Sequence, residues 1–186
     1  MTISSTRQAP GITIEVIATL NAGLVANFEL SWRTAAGLSM QAEYALHGPT
    51  LHTMRRQDEN PAEHTEMTLE GDGPFLLSPL MRIYTGPVIS RLLEYGGQGT
   101  VIVPAIGDPD DVNALLRPHF SQRQARVLES RIELITGDTT VYCKLCEYTG
   151  DQYATGSQFW LGLDEVLLRY QWRQSPDLLW RVSLCS

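Results

Sequence analysis

The stretch 76-LLSPLMRIYTGPVISRLLEYGG-97 interrupts a chain that elsewhere alternates polar and apolar residues as β-strands do. Ser78 can cap a helix with Pro79 at its first position, where a missing N–H costs nothing. Leu80, Tyr84, Val88 and Leu92 follow one helical row, and Met81, Ile83, Ile89 and Leu93 widen the stripe until most of the circumference is apolar. Such a helix has to be covered. Thr85-Gly86-Pro87 removes an internal hydrogen bond and predicts a kink or division, and Gly96-Gly97 ends the helix. Arg82, Arg91 and the two prolines argue against a membrane span, which needs about 20 nearly uninterrupted apolar residues.

On both sides of this stretch the period is two. Ile12, Ile14, Val16, Ala18 and Leu20 alternate with Thr13, Glu15 and Thr19, so a first strand is expected there rather than a signal-peptide core. Phe28, Leu30 and Trp32, then Leu38, Met40, Ala42, Tyr44 and Leu46, read as a hairpin with one dry face. Short strands are expected in LHTMRR and TEMTLEG, and a buried one in GTVIVPAI. Asp108-Pro109-Asp110-Asp111 has the composition of a helix start, which predicts a short second helix ending at Pro118. The last third, from RVLESRIEL to LWRVSLC, returns to strands divided by the turns TGD, GDQYATG and QSPD.

A sheet with one large apolar face is satisfied by a helix laid across it. The expected fold is therefore α+β and mostly β: a curved antiparallel sheet of about eight or nine strands, an incomplete barrel, wrapped around a kinked helix. The expected organisation is a flexible leader over 1–11 and a single half-barrel domain over 12–186.

The succession RIEL, TGDTTVYCKL, FWLGLDEVLLRY in the last third is similar to the half-barrels related to bacterial lipoprotein carriers, the LolA-like group. The resemblance implies a concave sheet whose inner face holds an acyl chain or another apolar molecule, and it transfers no functional residue by motif.

Composition narrows the function classes. A 43% apolar and 19% charged chain of 186 residues is too hydrophobic for disorder, too polar for a membrane span, and large enough for a real core. The net charge is −7 and basic residues are scattered, which leaves no face for a nucleic-acid backbone. Lys144 is the single lysine among fourteen basic residues, so any inward-pointing cation is an arginine, suited to planar carboxylate contacts. Three cysteines, an odd number, fit a reducing compartment better than a disulfide framework, and a cytoplasmic location is expected.

No reaction motif stands out. Cys143 and Cys146 are three apart in an expected strand, hence on opposite faces, and no second pair completes a zinc site, so no metal is expected. His47, His52, His64 and His119 have neither HxH nor HExxH spacing, and neither GxSxG nor a P-loop occurs. Asp164-Glu165 interrupts an apolar run and marks a turn or bulge. What remains is aromatic. Trp32, Tyr44, Tyr84, Trp160 and Tyr170 are the expected lining of a pocket between sheet and helix, with Arg82 as an inward anchor. The expected function is binding of an apolar small molecule such as a polyketide, terpenoid or acyl chain. The alternatives are a cofactor-free cyclase or isomerase using the same pocket, with Tyr44, Tyr84, Tyr170 or Arg82 polarising a carbonyl, and a non-catalytic partner-binding protein. No cofactor is expected in any of them.

Overall fold

The computed structural model describes residues 1–108, 111–136, 139–151, 153, 155–175 and 178–183. The described chain is mostly strand: β1 Thr2–Ala9, β2 Ile12–Asn21, β3 Leu24–Thr34, β4 Ser39–His47, β5 Thr50–Gln57, β6 Glu63–Thr68, β7 Phe75–Leu77, β8 Gln98–Pro104, β9 Pro118–Thr136, β10 Thr139–Thr149, β11 Gln158–Gly162, β12 Leu167–Ser175 and β13 Leu178–Ser183. The single α-helix among the described residues is α1, Thr85–Glu94. The strands form two open sheets, ordered β1-β2-β3-β4-β5-β6 and β13-β12-β11-β10-β9-β8-β7. The expected single sheet of eight or nine strands is thus replaced by two sheets. The chain groups into two compact units, Met1–Tyr84 with Val101–Phe120, and Thr85–Thr100 with Ser121–Ser186.

In the first unit, β1 to β6 pair in succession as an antiparallel meander. The two-residue turn Ala22-Gly23 sits at φ 48° and 82°, the primed geometry that matches strand twist. Alternation becomes burial: Ile14, Val16, Ala18, Phe28, Leu30, Trp32, Met40, Ala42, Tyr44 and Leu51 form one dry face. Leu77, Met81, Tyr84, Ile102, Leu115 and Leu116 pack on that face. The stretch expected to be a leader is strand β1, registered on β2 from Thr2↔Thr19 to Ala9↔Ile12. Its apolar signal is thin because an edge strand needs only one face to match its neighbour, and Ile3 and Ser5 supply it. The expected helix over 108–118 is instead a series of turns, in which Asp111 Oδ1 accepts the amides of Asn113 and Ala114. Pro109 and Asp110 lie outside the described residues.

The opening stretch folds differently from its periodicity. Ser78-Pro79 starts no α-helix; a 3-10 turn covers Arg82–Tyr84, and Ile83 is exposed. The α-helix begins at Thr85, so Gly86 and Pro87 lie in its first turn rather than at a kink. Proline is tolerated there because that N–H has no intrahelical partner. Gly86 has a packing reason: a Cβ would lie 2.0 Å from the Glu165 carbonyl oxygen, so α1 touches the β11–β12 turn through bare backbone. Val88, Ile89 and Leu92 form its buried stripe. The Gly97 N–H donates to the Leu92 carbonyl and terminates it.

In the second unit β9 to β13 form an antiparallel meander. Glu165, at φ 66°, turns the chain from β11 into β12, as the polar interruption at Asp164-Glu165 predicts. The TGD turn, at its residues 137 and 138, the QSPD turn, at 176 and 177, and Cys185 fall outside the described residues.

Candidate functional site

The expected site residues separate. Trp32, Tyr44 and Tyr84 share the apolar core of the first unit, with Phe28 stacked on Tyr44 at 4.6 Å. Arg82 precedes Tyr84 in the 3-10 turn and is half-buried. Trp160 and Tyr170 belong to the second unit and do not face one another: Tyr170 is paired with Phe159, so its side chain shares that residue's face while Trp160, the next residue, takes the other. Arg169 lies over the Trp160 ring at 5.9 Å. The six residues are thus divided between the two units, four in the first and two in the second; a period-two reading places residues on faces but does not say which sheet contributes them.

In the first unit the strongest polar feature is a carbonyl clamp. Tyr44 Oη donates to the Leu116 carbonyl at 2.6 Å, and Arg55 Nη1 donates to the carbonyls of Val112 at 2.7 Å and Leu115 at 3.1 Å. Glu63 receives both Nη groups of Arg117 and Nη2 of Arg55. These bonds, Arg117's first, hold the Glu63 carboxyl below the usual carboxylate range. The clamp satisfies a turn that would otherwise bury bare carbonyls. Burial pushes the Tyr44 hydroxyl pKa up, with Arg55 offsetting part of the rise, so Tyr44 stays a neutral donor.

Other buried polar atoms of the first unit have no hydrogen-bond partner among the described residues. Tyr84 Oη, Trp32 Nε1 and Ser5 Oγ are buried without a hydrogen bond. Burial raises the Tyr84 pKa and the nearby Ser5 hydroxyl offsets part of the rise, yet the two oxygens do not meet hydrogen-bond geometry. Trp32 lies on the same sheet face, since Ser5 pairs with Val16 and Val16 with Leu30, while Arg7, Ile14 and Trp32 form the adjoining row.

The second unit holds an aromatic ladder. Phe159 stacks on Tyr170 at 5.8 Å, Tyr170 on Trp172 at 5.4 Å and Trp172 on Trp180 at 5.8 Å, while Tyr148 meets Phe159 edge-on. Arg123 is buried beside it, its guanidinium 5.4 and 5.3 Å from the Tyr148 and Tyr153 rings. It donates to the Gly150 carbonyl and pairs with Asp151 at 2.9 Å. Sequence reasoning did not single out Arg123, although Ser121, Arg123 and Ala125 alternate with Gln122, Gln124 and Arg126, which puts the arginine on the inward face. Ser5 was missed because β1 shows almost no apolar period.

Cys143 and Cys146 are free and buried. Their partners Gly162 and Phe159 in a regular register place them on opposite faces. Burial pushes the Cys146 thiol up to about 11 and raises Cys143 as well, so neither is a thiolate at neutral pH. His47 and His52 meet edge-on at 5.5 Å, with Glu66 3.5 Å from His52 Nδ1, on the polar face of β4–β6. Among the described residues no group of three His, Cys, Asp or Glu is arranged to hold a metal ion, and no helix is long and apolar enough to cross a membrane.

No family model, curated protein or solved structure matches the chain. The carrier-like resemblance therefore rests on the sequence pattern of the last third alone.

Proposed function

We propose that the first unit binds a largely apolar small molecule carrying one oxygen function, of the polyketide, terpenoid or acyl class. The observation that carries this reading is the pair of buried polar groups without a hydrogen-bond partner among the described residues, Trp32 Nε1 and Tyr84 Oη, in one apolar core, with Ser5 Oγ of the edge strand β1 likewise unbonded beside Tyr84. An unmade buried hydrogen bond costs about 1–3 kcal/mol, and native cores rarely keep several without a compensating role. A ligand carbonyl or carboxyl between Tyr84 and Trp32 would accept from both, while Leu30, Met40 and Met81 receive the hydrocarbon. Entry requires the Met81–Tyr84 turn to lift, since it packs on the sheet face.

Native mass spectrometry of the purified protein, followed by extraction, tests this. A co-purifying hydrophobic molecule whose occupancy drops in Tyr84→Phe and Trp32→Phe, at unchanged stability, supports it. A clean apo mass together with no affinity for hydrophobic fluorescent probes would overturn it. A cofactor-free cyclase or isomerase would use the same hydroxyl to polarise a carbonyl; turnover intact in Tyr84→Phe eliminates that role.

A partner-binding reading is favoured by a different observation. Leu178, Leu179, Trp180 and Val182 of edge strand β13 are all exposed, which is unusual for an unpaired edge. Concentration-dependent mass by sedimentation, lost in Trp180→Lys, would support it.

A further inference from the structure

A second site lies in the other unit, on the sheet face opposite Arg123. Gln124 pairs with Thr149 and Arg126 with Glu147 across β9 and β10, so four polar side chains form one platform. Gly97 and Gln98, after the end of α1, border it, and the open cleft has a volume of about 470 Å³, within the range of small-molecule sites. Gly97 is required by the close approach: a Cβ there would sit 2.6 Å from the Ala125 carbonyl oxygen.

The hydrogen-bonding balance of the cleft is towards donors. Glu147 is spent, with Oε2 accepting from Arg126 Nε and Oε1 from the Gly156 amide at 2.7 Å. These bonds, Arg126's first, keep its carboxyl below the usual range. Arg126 is thereby held through Nε alone, and its Nη1 and Nη2 have no hydrogen-bond partner among the described residues. A guanidinium fixed at Nε presents its two Nη groups as a fork, the geometry that takes a carboxylate or phosphate in two parallel bonds. The Gln98 and Gln124 amides and the Thr149 hydroxyl make no side-chain hydrogen bond among the described residues either, and they can both donate to an oxyanion and accept from hydroxyls. The carbonyl end of α1 bears a partial negative charge, which favours a hydroxyl there over a second anion.

We propose that this cleft binds a small hydroxylated molecule bearing one oxyanionic group, carboxylate or phosphate, on the Nη edge of Arg126. The site shares no residue with the apolar core of the first unit and does not rest on that proposal. Isothermal titration of the whole protein with gluconate, glucose 6-phosphate, inorganic phosphate and uncharged glucose tests it. Saturable binding of gluconate or glucose 6-phosphate is expected, about tenfold or more tighter than glucose and weakened about tenfold by Arg126→Met. Arg126 is two-thirds exposed but its replacement also removes the partner of the largely buried Glu147, so Gln124→Ala provides a second variant that weakens binding without touching the ion pair. The tighter of the two sugar acids distinguishes carboxylate from phosphate. Equal affinity for glucose, affinity unchanged in Arg126→Met, or no saturable binding of any anion at about 10 mM would overturn the proposal.

Discussion

Strands β2 to β4 of the first unit and β13 of the second carry the same alternating pattern and end in opposite situations. Ile14, Val16, Leu30 and Trp32 are buried, whereas every residue of β13 from Leu178 to Ser183 is exposed, Trp180 to 45%. Alternation says that residues share a face; whether that face is covered depends on segments distant in sequence. The first unit covers its face with Leu77, Met81, Tyr84, Ile102, Leu115 and Leu116 and ties that cover down through Tyr44 and Arg55. The second supports its loop with a buried cation between two tyrosine rings instead.

The difference can be broken most severely at Gly86. Gly86→Ala forces a methyl into the Glu165 carbonyl, backbone against backbone, and is expected to destabilise the second unit by about 3 kcal/mol or more, read as a lowered denaturant midpoint. Arg123→Met comes next. It removes a buried cation and leaves Asp151 one-third exposed without it, for an expected loss of about 2–3 kcal/mol, measurable with increased amide exchange at Gly150 and Asp151. Tyr44→Phe should cost about 1–2 kcal/mol, because the buried Leu116 carbonyl loses its donor, and the accompanying sign is faster exchange over residues 112–117. Tyr84→Phe sharpens the contrast: its hydroxyl has no partner, so stability should be unchanged or slightly higher in a thermal melt.

The smallest effect concerns pH. Glu147 titrates below the unperturbed 4.5 in the folded protein, so the Arg126 and Gly156 bonds stabilise the fold above that value, and the contribution disappears as pH falls through the folded pKa. Glu147→Gln should flatten this part of the acid limb of a stability-versus-pH curve while leaving the curve at pH 7 to 8 parallel to the parent.

Much of the strand content was legible because one-sided burial imposes a period of two, and the Asp164-Glu165 turn was legible because charge does not continue an apolar run. The helix boundary was not. Leu80, Met81 and Tyr84 fit a helical row, yet they serve the first unit's core, and Thr85-Gly86-Pro87 is a start that reads like a break. For the candidate sites, Trp32, Tyr44 and Tyr84 were found as inward aromatics. Arg55 and Arg126 were not, since their roles depend on partners 8 to 60 residues away, and Ser5 was not, because β1 shows almost no apolar period.

By itself the sequence determined that this is a β-rich chain with scattered basic charge and no metal or nucleotide motif, because composition and alternation are local properties. Tertiary structure alone decided that there are two sheets rather than one, which aromatics meet, which hydroxyls go unpartnered and which arginine keeps a free edge. Each of these is set by the register between strands and by the approach of distant backbone, distances that no local period contains.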